Sequence, residues 1–233
     1  MDYSKISSKL VNILNLEGKP VAVSLLTRKE VIPDGMEIVK EPLRYCQMLQ
    51  NARKKDIITL ATEPEHTCKG GAAAIGLMDY PDNIKSGSLY FDKLDKEISL
   101  GIAKRVVDNM PRPTPGSIVA TIVAPLDKTP IRPDVIVIFA NVLAARRIVH
   151  AVIYRHGGRV TSTFAGIQST CADATGYPYT TGQLNVSIGC DGAAKNAGLL
   201  DDELVVGVPA ELIEDITDIL DQQAQGWDDW MRS

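Results

Sequence analysis

Apolar residues recur along the chain in two rhythms that take turns. Ile6, Leu10, Ile13 and Leu14 fall at i, i+4, i+7 and i+8, which predicts an opening helix with one apolar face, ended by Gly18. Val21 to Leu26 is a nearly unbroken apolar run and reads as a buried strand. Residues 43–54 are helical in composition, and Ile57 to Thr62 is a short β-branched run that Pro64 would stop. The small residues from Cys68 to Ala74 predict a tight turn feeding a helix, and Leu89 to Phe91 a short strand. Leu94, Ile98, Ile102, Val106 and Met110 recur at every fourth position, a helix that ends at Pro111, Pro113 and Pro115.

Beyond those prolines the alternation resumes. Ile118 to Ala124 and Val135 to Phe139 are apolar enough to be strands buried on both faces, as in a sheet covered by helices. A helix from about Val142 to Arg155 follows, then a strand near Val160, a turn or short helix at Cys171, and a strand from Leu184 to Ile188. A small-residue segment comes after Cys190, and Leu204 to Val208 is the final strand. Pro209 suits the first turn of a closing helix whose face is Leu212, Ile213, Ile216, Ile219 and Leu220. The tail from Gly226 to Trp230 reads as a surface segment that docks its tryptophans.

The two halves resemble each other. Cys68-Lys69-Gly70-Gly71-Ala72-Ala73-Ala74-Ile75-Gly76-Leu77 and Cys190-Asp191-Gly192-Ala193-Ala194-Lys195-Asn196-Ala197-Gly198-Leu199 both fit C-x-G-x-A-x-x-x-G-L. Each half also carries an earlier cysteine: 22 residues separate Cys46 from Cys68, and 19 separate Cys171 from Cys190. The expectation is an α/β protein from an internal duplication, with two pseudo-symmetric halves over residues 1–112 and 113–233, joined at Pro111 to Gly116. Each half would hold a small mixed sheet flanked by helices, and a pseudo-twofold axis would bring the cysteines together. The halves would pack tightly enough to count as one domain.

Composition narrows the class without naming a function. The 233 residues are 45% hydrophobic and 23% charged, the balance of an ordinary globular protein that needs no staples to bury a core. The net charge of −4 comes from 25 basic and 29 acidic residues with no basic run, so nucleic acid is not an expected partner. No apolar leader or membrane-length stretch is visible, and a cytoplasmic protein without a membrane partner is expected. Thiols stay reduced there, so four cysteines point to ligands, redox groups or small core residues before disulfides.

Four thiolates in a tetrahedron suit either zinc or a [4Fe–4S] cluster. A cysteine just before a helix, with glycine two residues on, lets backbone N–H groups approach the sulfur. Gly70 and Gly192 would also leave room for a cluster, which is bulkier than one ion. The reading is therefore a [4Fe–4S] cofactor on Cys46, Cys68, Cys171 and Cys190, with zinc as the alternative; no C-x-x-C spacing supports either. Buried cysteines acting as hydrophobes, or a redox thiol pair, are the plainer accounts. His66 reads as a solvated loop histidine that could stand near the site. His150 and His156 belong to the helix after Val142. Arg44 and Arg146-Arg147 could neutralise a cluster or an anionic substrate, and Asp173 and Asp191 could be helix caps. No G-x-S-x-G, Walker, H-E-x-x-H or G-x-G-x-x-G motif is present.

Several of these residues carry a family resemblance. Arg44-x-Cys46, Cys68-x-Gly70, Pro133-Asp134-Val135, the run Asn185-x-Ser187-x-Gly189-Cys190-x-Gly192, Asp201-Asp202-Glu203 and Val208-Pro209 together resemble domain-of-unknown-function family 169, found in archaea and anaerobic bacteria. The resemblance covers nearly the whole chain. It implies a shared set of four cysteines and no particular activity. The functional expectation is an iron–sulfur protein of anaerobic metabolism that transfers electrons to a redox partner protein or supports a redox enzyme. An enzyme acting on a small anionic ligand, or a regulatory module with structural zinc, are the alternatives, and a homo-oligomer is compatible with each.

Overall fold

The computed structural model describes residues 1–232; the side chains of residues 225 and 228–232 lie outside the description, and with them the docking expected of Trp230. Trp227 does dock, with the Arg147 guanidinium 3.9 Å from its ring centroid.

Six strands build one sheet. They are β1 (Val21–Thr27), β2 (Thr59–Ala61), β3 (Ile118–Pro125), β4 (Val135–Ala140), β5 (Asn185–Ser187) and β6 (Leu204–Pro209), in the order β2-β3-β1-β4-β6-β5. Every pairing is antiparallel. The expectation of a small mixed sheet in each half is corrected: β1 pairs with both β3 and β4, so a single antiparallel sheet runs across residues 112–113. Both faces of β1 and β4 are covered, which is why these strands read as apolar runs without alternation.

Period-2 geometry sorts those side chains to two helical layers. Val21, Val23, Val135, Val137 and Phe139 face α2 (Tyr45–Lys55), α3 (Lys69–Ala74) and a π-helical segment at Ser169–Gly176. Ile136, Ile138 and Ala140 face α1 (Tyr3–Leu14), α6 (Val142–Ile153) and α9 (Ile213–Arg232). The shorter helices are α4 (Asp82–Lys85), α5 (Leu100–Asp108), α7 (Tyr177–Thr181) and α8 (Asp191–Ala197). The crossing at residues 111–116 is ordered, with Pro113 buried against the position of Gly76.

The differences from the sequence expectations have local causes. Helix α1 ends on Asn15 in the left-handed conformation, three residues before Gly18. The helix expected from Leu94 begins only after Ser99, whose hydroxyl accepts the Ile102 N–H at 3.3 Å. A strict every-fourth pattern drifts about 40° around a helix at each step, so its members cannot share one face, and Leu94, Ile98 and Ile102 are exposed. Leu89–Lys93 forms a π-helical turn where a strand was expected, with Tyr90 held in a small side cluster. No strand forms at Val160; the segment instead lies beside β5, where Asn185 bonds both the N–H and the C=O of Thr163 at 2.9 Å. Pro209 is the last residue of β6, and a 3₁₀ turn at Ala210–Leu212 separates it from α9.

Strand ends recur in both halves. The Leu126 N–H bonds Pro20 O, and the Ala210 N–H bonds Asp134 O, each at 2.9 Å. In each case the donor follows the proline that closes β3 or β6, and the acceptor precedes β1 or β4.

Candidate functional site

Four elements on one face of the sheet each bring a cysteine to the same cavity. Cys46 lies in the first turn of α2, Cys68 is the N-cap of α3, Cys171 lies in the π-helical segment, and Cys190 is the N-cap of α8. All four line a cavity of about 460 Å³, and all are free thiols. Cys171 is buried and the others are half-buried. π-Helical turns concentrate at functional sites because the extra residue re-aims a side chain. Here the turn opens on Gln168, a non-glycine residue at φ 53°, a strained conformation of the kind found where a site needs it. Its side chain is clamped: Gln168 Nε2 donates to Tyr90 Oη at 2.8 Å, and Tyr80 Oη donates to Gln168 Oε1 at 2.7 Å. A 2.8 Å hydrogen bond between Tyr45 Oη and Thr175 Oγ1 ties α2 to the π-helical segment, each partner close in sequence to a cysteine.

One sulfur receives a backbone donor and another donates to the backbone. The Gly71 N–H points at Cys68 Sγ at 3.4 Å, and Cys171 Sγ donates to Gln168 O at 3.4 Å. Burial, followed by the neighbouring Cys190 and Cys68, pushes the Cys46 thiol up to about 11. Burial and then Cys68, Cys190 and Cys46 raise Cys171 well above its ordinary value. By themselves Cys46 and Cys171 are therefore neutral thiols, and only a positive centre beside them would draw out the thiolates. Among the described residues, no group of three or more His, Cys, Asp or Glu is arranged to hold a single metal ion.

Gly70 and Gly192 also line the cavity. Neither has a positive φ, so they are not turn glycines. A Cβ on Gly70 would stand 3.1 Å from Ile84 Cδ1, and one on Gly192 would stand 3.8 Å from Cys190 Sγ with nothing else within 4 Å.

The other sequence candidates divide. Arg44 lines the cavity, and Asp191 lines it while pairing with Lys96. Asp191 is the first residue of α8, so it is no cap. Asp173 is no cap either. Its carboxylate is buried and accepts from Ser187 Oγ at 2.6 Å, and burial raises its pKa to about 7. His66 is fully buried where a solvated loop residue was expected. Its ring stacks on Tyr45 at 6.3 Å and its Nε2 lies 3.4 Å from Thr121 Oγ1, away from the cavity wall. His150, Arg146 and Arg147 belong to α6 on the opposite face, and His156 lies in the exposed turn beyond it. Gln168, Tyr90, Lys96 and Lys195 also line the cavity, and the sequence pattern does not single them out; Lys195 stands inside the repeated motif, the one signal that could have found it.

The fold and site define a three-layer α/β protein with a four-cysteine pocket on one face of an antiparallel sheet. Residues 9–218 match the family DUF169, described as Uncharacterised ArCR. Uncharacterized protein MJ0308 of Methanocaldococcus jannaschii is 40% identical over 231 residues, covering 97% of this chain and 98% of its own length. The chain belongs to that family. No solved structure matches it.

Proposed function

We propose that the protein holds a [4Fe–4S] cluster on Cys46, Cys68, Cys171 and Cys190 and serves electron transfer or redox support. The observation that carries this reading is the convergence of all four cysteines, from four separate elements, on one cavity. Such a cavity exceeds what one zinc ion needs, which supports a bulkier sulfide-bridged group over zinc. When bound, that group supplies one-electron transfer. The protein's part is to bury it, to direct N–H groups at its sulfurs and to set its potential through both. The absorption spectrum of anaerobically purified protein tests the reading. Iron content with a broad band in the blue is expected, and a colourless, iron-free protein would sink it.

We infer also that the chain arose by duplication. The strand order supports this, because β2-β3-β1 followed by β4-β6-β5 is a palindrome once β1, β2 and β3 are matched to β4, β5 and β6. The matched bonds to Pro20 O and Asp134 O support it too. So does the repeated motif: Gly76 and Gly198 both follow their helix at positive φ, and Leu77 and Leu199 are both buried in the core on the cysteine face. On this match β3 is the counterpart of β6, and the divide lies near residue 130.

The glycines give a second test. Alanine at Gly192, inside a helix with open space around it, is expected to stabilise the protein by up to about 1 kcal/mol. Its methyl would nonetheless face Cys190 Sγ and lower the iron content. Gly70→Ala is expected to lower iron as well, with Ile84 yielding. Full occupancy and an unchanged spectrum in both variants would remove the glycines from the site.

A further inference from the structure

Three cations stand at the cysteine cavity, Arg44, Lys96 and Lys195, against one carboxylate, Asp191. That leaves the wall a net charge of +2 beside the four thiols. Lys96 is engaged by Asp191. Among the described residues no carboxylate lies within ion-pair distance of Arg44 or Lys195, although the protein as a whole is acidic. The rest of the wall is largely apolar, with Ile84, Leu89, Leu94 and Ile167 among its lining residues. Its volume of about 460 Å³ falls in the range of small-molecule pockets.

We propose that this cavity binds a small organic dianion of the dicarboxylate class, with Arg44 and Lys195 each receiving one carboxylate and the apolar wall covering the carbon chain between them. The proposal rests on the cluster reading for what the anion meets at the cavity floor, and on the cations alone for its binding. Arg44 offers a planar two-point fork that matches a carboxylate, and Lys195 a mobile point charge. Two separated cations favour two negative charges over one. The apolar stretch favours a carbon chain over an inorganic dianion, which could not use it. Arg44 directly precedes α2, two residues before Cys46, and Lys195 lies in α8, five residues after Cys190. A ligand held by both shares its cavity with the four cysteines.

Isothermal titration of the anaerobically purified protein with unbranched dicarboxylates from oxalate to glutarate tests this, with acetate and inorganic sulfate as comparisons and iron measured on the same samples. At least one dicarboxylate is expected to bind at least tenfold tighter than acetate or sulfate. Arg44→Gln and Lys195→Gln should each weaken it about tenfold at unchanged melting temperature, the affinities being compared at matched iron content, and Lys195→Arg should restore most of the affinity. Equal weak binding of all the anions, or variants that bind like the parent, would overturn the proposal. Should the protein lack iron yet bind a dicarboxylate through Arg44 and Lys195, the anion site stands and the cluster reading falls. Iron without dicarboxylate binding removes the anion site and leaves the cluster reading standing.

Discussion

Serine in place of Cys171 is expected to strip the protein of iron while leaving it folded. Cys171 Sγ makes one weak donated bond to Gln168 O, at 3.4 Å, which a hydroxyl can reproduce in nearly the same volume. Stability should change by about 1 kcal/mol or less. Cys68 and Cys190 are sharper still. Both are helix N-caps with extended backbone, a position that serine fills better than cysteine. Cys68→Ser and Cys190→Ser should therefore melt at or above the iron-free parent and still lose iron, so a drop in metal cannot be assigned to unfolding. Cys46→Ser completes the set. Iron per chain and melting temperature, measured together under anaerobic conditions, decide the matter. If Cys46→Ser and Cys171→Ser keep full iron while Cys68→Ser and Cys190→Ser lose it, the metal sits on two cysteines, shared with a second chain.

Much of the fold was legible because hydrophobic rhythm is a local property. Strands β1, β3 and β4 lie within a residue or two of their apolar runs, and the closing helix buries the expected Ile213, Ile216, Ile219 and Leu220. Pairing is not local. Nothing in the runs says that β1 lies between β3 and β4, since strands buried on both faces read alike in parallel and antiparallel sheets. The expected site residues stand out by type and repetition, and the structure sets all four cysteines and both glycines on one wall. Its other half escaped because side chains recruited by tertiary contact leave no period. Gln168 is placed by a backbone conformation that its residue type does not announce, and Tyr90 by a π-helical turn in a segment whose apolar residues suggest a strand. His66 failed in the other direction. A histidine between Glu65 and Thr67 looks solvated, yet the long-range contacts with Tyr45 and Thr121 bury it.

Gly207→Ala is expected to be the most damaging single methyl group added to this protein. Gly207 sits inside β6, paired with Val137 on one side and Asn185 on the other. The backbone of the π-helical segment presses directly on it, so that a Cβ would overlap the carbonyl of Ala174. Gly176, the segment's last residue, is pinned likewise: a Cβ there would stand 2.8 Å from Pro111 O and 2.9 Å from Ala74 O. Because the obstacle is main chain, no side chain can rotate away, and the segment must lift off the sheet. Overpacking of this kind costs about 1–3 kcal/mol, and backbone contact places this case at the upper end. Lifting the segment carries Cys171 with it, along with the Thr175 hydroxyl that meets Tyr45. Stability and iron should therefore fall together. Gly101→Ala is the matched control: it lies in α5 with nothing within 4 Å of its Cβ position, and should gain up to about 1 kcal/mol with iron unchanged. A Gly207→Ala protein that melts like the parent and keeps its iron would mean that the π-helical segment does not need its close seat on β6 to present Cys171.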